Sequence, residues 1–129
     1  MKKSLLVVDD KEKICQSLAR NFNQRGYHTL YATTRHKALH LFSNHHIDAV
    51  LLDVMLGEED GLEVLDDLRH HNPHVPVIMI TGYGSIDSAV QAIKSGAVDY
   101  VTKPLNFEKL LTIVENATQH APSFADQAS

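Results

Sequence analysis

Five side chains in this sequence have the types and the placement to do chemistry together. Asp9 and Asp10 follow the apolar run Ser4-Leu5-Leu6-Val7-Val8, and Asp53 follows Asp48-Ala49-Val50-Leu51-Leu52. Thr81 ends a run from Val75 to Ile80, and Lys103 lies just beyond one from Val98 to Val101. If these runs are parallel strands of one sheet, three carboxylates, a hydroxyl and an ammonium meet at its carboxyl edge. Like charges that close repel and raise one another's pKa, so the cluster favours a bound cation. Magnesium prefers oxygen ligands in octahedral geometry and keeps several waters, so one or two carboxylates plus a phosphoryl oxygen suit it. Asp10 and Asp53 are the expected direct ligands. A carboxylate is also a nucleophile that forms an acyl phosphate, while a metal and a lysine neutralise the equatorial oxygens of the group in transit. Asp53 stands alone at its strand end opposite Lys103 and is the expected nucleophile, with Thr81 donating its hydroxyl to a phosphoryl oxygen.

The elements that must position these groups are written in the periodicity, which alternates strand-like and helix-like five times. Strand 4–8 precedes a helix near 11–24 with the stripe Ile14, Leu18, Ala19 and Phe22, ended by Gly26. A weaker strand over 28–31, expected at a sheet edge, precedes a helix near 34–44 capped by Thr33 or Thr34. Strand 48–52 leads through Gly57-Glu58-Glu59-Asp60-Gly61 to a helix carrying Leu62, Leu65 and Leu68 that stops near Asn72-Pro73. Strand 75–80 leads through Thr81-Gly82-Tyr83-Gly84 to a helix with Ile86, Ala89, Val90 and Ile93, closed by Lys94 and Gly96. Strand 98–101 and Thr102-Lys103-Pro104 precede a last helix that starts after Asn106 and buries Phe107, Leu110, Leu111 and Val114.

Apolar runs of five joined by crossover helices predict an α/β domain, doubly wound, with a five-stranded parallel sheet of order 2-1-3-4-5 and five helices. In such a sheet ligands bind beyond the carboxyl ends where the strand order reverses, between strands 1 and 3. Asp9, Asp10 and Asp53 fall at that point.

A chain of 129 residues is expected to form one domain, here 1–119, burying roughly two-thirds of its unfolded surface, with 120–129 as a linker-like or disordered tail. The single cysteine, Cys15, lies in a helical apolar pattern and reads as an inert buried thiol with no bridge to form. Met1-Lys2-Lys3 opens like a signal peptide, but the apolar run behind it is too short and meets two aspartates. No stretch approaches membrane-spanning length, so a cytoplasmic location without membrane contact is expected. The net charge of -4 gives no general attraction for nucleic acid, and a DNA role would need another domain. Nine histidines, among them His36 with His40 and His70-His71 with His74, invite a metal reading. They lie on polar helix faces or at helix ends, where an imidazole needs no partner.

In order along the chain, Leu5-Leu6-Val7-Val8-Asp9-Asp10, Leu51-Leu52-Asp53, Thr81-Gly82-Tyr83-Gly84 and Asp99-Tyr100-Val101-Thr102-Lys103-Pro104 resemble the response-regulator receiver domain of two-component signalling, over roughly residues 4–118. The resemblance implies a flavodoxin-like domain acting as a phosphorylation-activated switch. Its only chemistry would be self-phosphorylation from small acyl phosphates and self-dephosphorylation. A sensor histidine kinase would donate the phosphoryl group to Asp53. Magnesium, with manganese as an alternative, would be bound by Asp10, Asp53 and the backbone carbonyl of Met55, and by Asp9 through water. Thr81 would move toward the phosphoryl group and Tyr100 would turn inward behind it, altering the surface of helix 85–95, strand 98–101 and helix 107–119. That surface would control an output domain or downstream protein and could support a homodimer. The resemblance also implies a cis Lys103-Pro104 bond. Thr81-Gly82-Tyr83-Gly84-Ser85 and Gly96-Ala97-Val98-Asp99-Tyr100 resemble receivers attached to DNA-binding activators, including AAA+ types, so transcription regulation is implied by analogy.

There are departures and rivals. The family often has proline four residues after the phosphorylated aspartate, where this chain has Gly57 in an acidic loop. Met55 and Tyr83 border the route of water to the phosphoryl group, so slow self-hydrolysis is expected. A haloacid-dehalogenase-like phosphatase also uses an aspartyl nucleophile and magnesium, but its acids alternate along the first strand, whereas Asp9 and Asp10 are adjacent. A flavodoxin-like electron carrier needs a hydroxyl-rich or glycine-rich loop after strand 1, and Asp9-Asp10-Lys11-Glu12-Lys13 is neither. Stand-alone receivers and phosphorelay carriers share the fold, and one that works by protein contact alone is distinguished by whether Asp53 reacts at all.

Overall fold

The structure, a computed structural model, describes residues 2–82 and 86–119. Seven strands and five helices alternate along the described chain: β1 (Ser4–Val8), α1 (Glu12–Gln24), β2 (His28–Ala32), α2 (Arg35–Asn44), β3 (Ala49–Asp53), β4 (Met55–Leu56), β5 (Glu59–Asp60), α3 (Gly61–His71), β6 (Val77–Thr81), α4 (Ile86–Lys94), β7 (Asp99–Thr102) and α5 (Phe107–Gln119). Five strands form one parallel sheet in the order β2-β1-β3-β6-β7, which is the expected 2-1-3-4-5 once the β4-β5 hairpin is set aside. The weak second strand is an edge strand, as expected.

The alternation of side chains across a strand divides the core in two. Leu5, Val7, Leu51, Ile78 and Ile80 pack against Cys15, Leu18, Phe22, Leu110 and Val114 of α1 and α5. Leu6, Val8, Val50, Leu52, Val77 and Met79 pack against Ala38, Phe42, Val64, Leu65, Leu68 and Ala92 of α2, α3 and α4. Each fully buried aliphatic or aromatic side chain contributes roughly 1.5–3 kcal/mol, and Leu5, Leu6, Leu51, Leu52, Ile78 and Met79 of the central strands are fully buried. The carboxyl ends of these strands are therefore firm mounts. Asp9 continues the face of Leu5 and Val7, and Asp53 that of Leu51, so both turn toward the same side of the sheet.

Several boundaries differ from expectation for identifiable reasons. β3 runs Ala49–Asp53, one residue later than the expected 48–52, so that Asp53, expected at the strand end, is its last residue and pairs with Ile80. β6 begins at Val77, because Pro76 has no N–H to give a ladder, although its carbonyl accepts from the Val50 N–H at 3.0 Å. Of the two candidate caps for α2, Thr34 is the one used, its hydroxyl accepting from the Lys37 N–H at 3.2 Å. In α4, Val90 and Ile93 are 44% and 49% exposed while the small Ala92 is fully buried, so this helix turns part of its apolar stripe outward. The acidic loop closes as a hairpin, β4 against β5, around Gly57 and Glu58. Gly57 has φ +60° and no non-glycine residue among the described residues has positive φ, so Glu58 does not, the sign pattern of a type II′ turn. Proline, held near −65°, could not stand there. The expected tail, 120–129, lies outside the described residues.

Candidate functional site

Asp9, Asp10 and Asp53 each place a carboxylate oxygen within 4.8 Å of the others, the one such acid, histidine or cysteine cluster with metal-binding spacing among the described residues. The histidine pairs form no such group. Asp9 and Asp53 are only 3% and 6% exposed, and Asp10 faces solvent. Two backbone donors anchor the buried pair: the Lys11 N–H gives to Asp9 Oδ1 at 2.9 Å, and the Met55 N–H gives to Asp53 Oδ1 at 3.0 Å.

Lys103 arrives from the far side of the switch point. Its Nζ donates to Asp53 Oδ2 at 2.9 Å and to Asp9 Oδ2 at 3.1 Å, bridging residues 50 and 94 positions away in sequence. The Lys103 N–H also donates to the Thr81 carbonyl at 2.7 Å, and the Lys103-Pro104 bond is cis. Thr81 ends β6 beside Asp53 and is buried. Burial by itself would lower the Lys103 pKa, but the hydrogen bonds to Asp53 and Asp9 and the charges of both outweigh it and leave the ammonium stabilised. For Asp9, burial is the largest influence and raises the pKa; repulsion from Asp53 adds, while the Lys11 N–H and Lys103 oppose. Repulsion between the acids, the effect expected from their adjacency, is thus the smaller contributor for Asp9.

One ammonium answers three carboxylates, so the cluster is net anionic. Asp10, Asp53, Met55, Thr81 and Lys103 all line a cavity of about 390 Å³ that also touches Gly57 and Ser88. The acid cluster borders this cavity, which Lys11 also lines, and carboxylates that close together beside open space suit a hard divalent cation that keeps waters. A larger hollow of about 440 Å³, between Arg69, Val98 and Ile113, lies at the opposite edge of the sheet, away from the acid cluster. Met55 is 62% exposed at the mouth of the acid pocket. Tyr83, expected beside it, lies outside the described residues. Tyr100 is half-buried on β7, packed against the α2-α3-α4 side of the core and apart from the pocket lining.

Apart from the Met55 carbonyl, which the resemblance implied, sequence reasoning missed the parts of the site that act through the backbone. Gly61, at the start of α3, packs directly against the Asp53 carbonyl and gives its N–H to the Val54 carbonyl at 2.7 Å. The loop glycine was visible, but nothing in the sequence shows what it touches. The Lys11 and Met55 N–H groups are equally silent in a sequence.

A parallel sheet with paired acids at its switch point, a third acid on the neighbouring strand and a bridging lysine defines a phosphoryl-handling α/β domain. The chain belongs to the response regulator receiver domain family, whose model matches residues 5–115. It is a signalling domain, a phosphorylation-dependent switch. It is 39% identical over 115 residues to the regulatory protein AtoC of Escherichia coli (strain K12), a match covering 89% of this chain and 25% of that protein. The CheY-like receiver domain protein of Methanospirillum hungatei JF-1 superposes with TM-score 0.90 at 29% identity, covering 94% of this chain and 97% of that one. A response regulator of Burkholderia pseudomallei, solved with a phosphorylated aspartic acid, calcium ion and citrate, superposes with TM-score 0.84 at 36% identity, covering 92% of this chain and 70% of that one. The chain spans about a quarter of the length of the curated relatives it matches.

Proposed function

We propose that Asp53 is the phosphoryl acceptor of this receiver and that a sensor histidine kinase is its donor. The observation that carries the reading is the Lys103 ammonium held between Asp53 at 2.9 Å and Asp9 at 3.1 Å, at the mouth of a pocket that leaves room beside Asp53. The Asp53 carboxylate attacks phosphorus, a P–O bond forms as the P–N bond of the phosphohistidine breaks, and the leaving imidazole takes up a proton. Lys103 follows the charge onto the phosphoryl oxygens, and the Thr81 hydroxyl donates to one of them. Asp10, Asp53 and the Met55 carbonyl would hold magnesium, with Asp9 acting through water. Bound there, magnesium supplies positive charge against the phosphoryl oxygens. The calcium ion and phosphorylated aspartic acid of the Burkholderia relative support this reading.

Charge gained at Asp53 draws Thr81 and Lys103 toward it and biases α4, β7 and α5, with Tyr100 turning inward. Val90, Ile93 and Val98 already stand exposed on this side, an apolar surface for an output domain, a downstream protein or a second copy of the chain. Likeness to AtoC and other full-length regulators supports a role in transcription regulation through an attached output domain, with no nucleic acid bound by this domain itself. No helix among the described residues is long and apolar enough to cross a membrane; the cytoplasmic site of action is proposed from membership of the receiver family. Beyond self-phosphorylation and self-dephosphorylation the domain is not an enzyme. The test is to incubate the chain with magnesium and a small acyl phosphate and weigh it. One phosphoryl adduct that disappears in Asp53→Asn is expected; no adduct, or one that survives the substitution, refutes the assignment.

A further inference from the structure

The β4-β5 hairpin holds the Met55 carbonyl, and its fastening lies outside the pocket. Met55 pairs with Asp60 and Leu56 with Glu59, while Leu56 is buried and Asp60 caps α3 through the Leu62 N–H at 2.9 Å. The turn folds back over the acid cluster: a β-carbon on Gly57 would sit 3.9 Å from Asp10 Oδ2. Glu59 reaches away from the pocket, and its Oε1 accepts from the Arg35 N–H at 3.1 Å. Arg35 is the first residue of α2, so that N–H is one of the donors a helix leaves without an internal partner, at the end where the helix dipole favours a carboxylate. The Arg35 guanidinium is itself held by α3, through Asp67 Oδ2 at 2.7 Å from Nε and Glu63 Oε2 at 3.0 Å. Hairpin, α2 and α3 are thereby joined at one residue.

We infer that Glu59 is a positioning residue for the metal: by fastening the hairpin to the amino end of α2 it fixes where the Met55 carbonyl stands, and so sets affinity for a divalent cation. The inference rests on the metal reading above. A two-residue hairpin has too few ladder bonds to hold its own geometry, so an outside tie carries disproportionate weight. Groups that hydrogen-bond directly to a metal's ligands commonly change its affinity about ten- to a hundredfold when lost, and Glu59, acting one step farther out through the hairpin, is expected to change it less.

The probe is Mn²⁺ alone, titrated into the chain with free ion counted by electron paramagnetic resonance, beside thermal melting of the metal-free protein. Glu59 is exposed, so Glu59→Ala leaves the core intact. Expected is a loss of about fivefold or more in Mn²⁺ affinity for Glu59→Ala, with Glu59→Gln restored to the parent value because an amide oxygen still accepts from the Arg35 N–H. Melting temperatures close to the parent's would separate this from a merely structural role. A parent that binds Mn²⁺ no better than Glu59→Ala overturns this inference alone, as does a loss in Glu59→Gln equal to that in Glu59→Ala, which assigns the effect to charge. A parent that binds no Mn²⁺ overturns the metal reading as well.

Discussion

Replacing Gly61 with alanine should damage both stability and phosphoryl uptake, although alanine is the better helix former. A β-carbon at Gly61 would overlap the Asp53 carbonyl oxygen and sit 2.6 Å from the Val54 oxygen and 2.8 Å from the Val54 carbon, where ordinary contact starts at 3.4 Å. Every obstructing atom is backbone, and the Gly61 N–H to Val54 bond at 2.7 Å ties the two segments together. No side chain can swing aside, so α3 must lift or the end of β3 must move. Overpacking of this kind costs about 1–3 kcal/mol, against a helix-propensity gain of up to about 1 kcal/mol. The difference spans about 0–3 kcal/mol, and its middle, about 1.5 kcal/mol, corresponds to about 5–10 °C in melting temperature for a domain of this size. Because the displaced atoms include the carbonyl of the nucleophile's own residue, the rate of adduct formation with a small acyl phosphate should fall by about tenfold or more. Gly82→Ala is the control, since a β-carbon there meets nothing nearer than Lys103 Cδ at 4.0 Å. Melting at or above the parent temperature with an unchanged adduct rate for Gly61→Ala would refute the reasoning.

Asp9 offers a prediction about charge. Burial first, and Asp53 second, raise its pKa above the ordinary 3.8, so its contribution to stability is full below that value and is lost as pH climbs through the folded one. At neutral pH the ionised carboxylate therefore works against the metal-free fold. Asp9→Asn should melt higher than the parent without metal and gain less than the parent from saturating magnesium, where a site at a hundredfold its dissociation constant adds about 2.7 kcal/mol; a lower metal-free melting temperature would contradict this. Cys15 offers a simpler one. Burial, followed by the Asp9 charge, pushes its thiol up to about 12, so iodoacetamide should leave the folded chain unmodified at neutral pH and add one group after denaturation. Labelling of the native protein at the rate of a free thiol would contradict the burial.

The site was legible in outline because polar residues interrupt apolar runs. Asp9, Thr81 and Lys103 mark strand ends by contrast with Val8, Ile80 and Val101 before them, and contrast is a local property. Other features left weaker traces. The β4-β5 pairing involves two residues a side, too few for a period of two to register, although Gly57 marked the turn. In α4 the stripe of Val90 and Ile93 reads as core by spacing, yet Ala92 is the residue that goes down. Which face a helix buries depends on the neighbour it packs against, and that neighbour is not in the helix's own sequence.

What the sequence determined by itself was the order of strands and helices, the handed parallel sheet they must make, and the presence of three acids, a hydroxyl and a lysine at one edge of it. Periodicity and crossover handedness are consequences of short-range geometry, so they can be read one segment at a time. Only the tertiary structure decided that Lys103 would serve Asp9 and Asp53 together, that burial more than repulsion would raise the Asp9 pKa, that Gly61 would support the Asp53 backbone, and that Glu59 would reach α2. Coulomb forces, desolvation and steric contact depend on distance through space, and here they join groups as far as 94 residues apart along the chain.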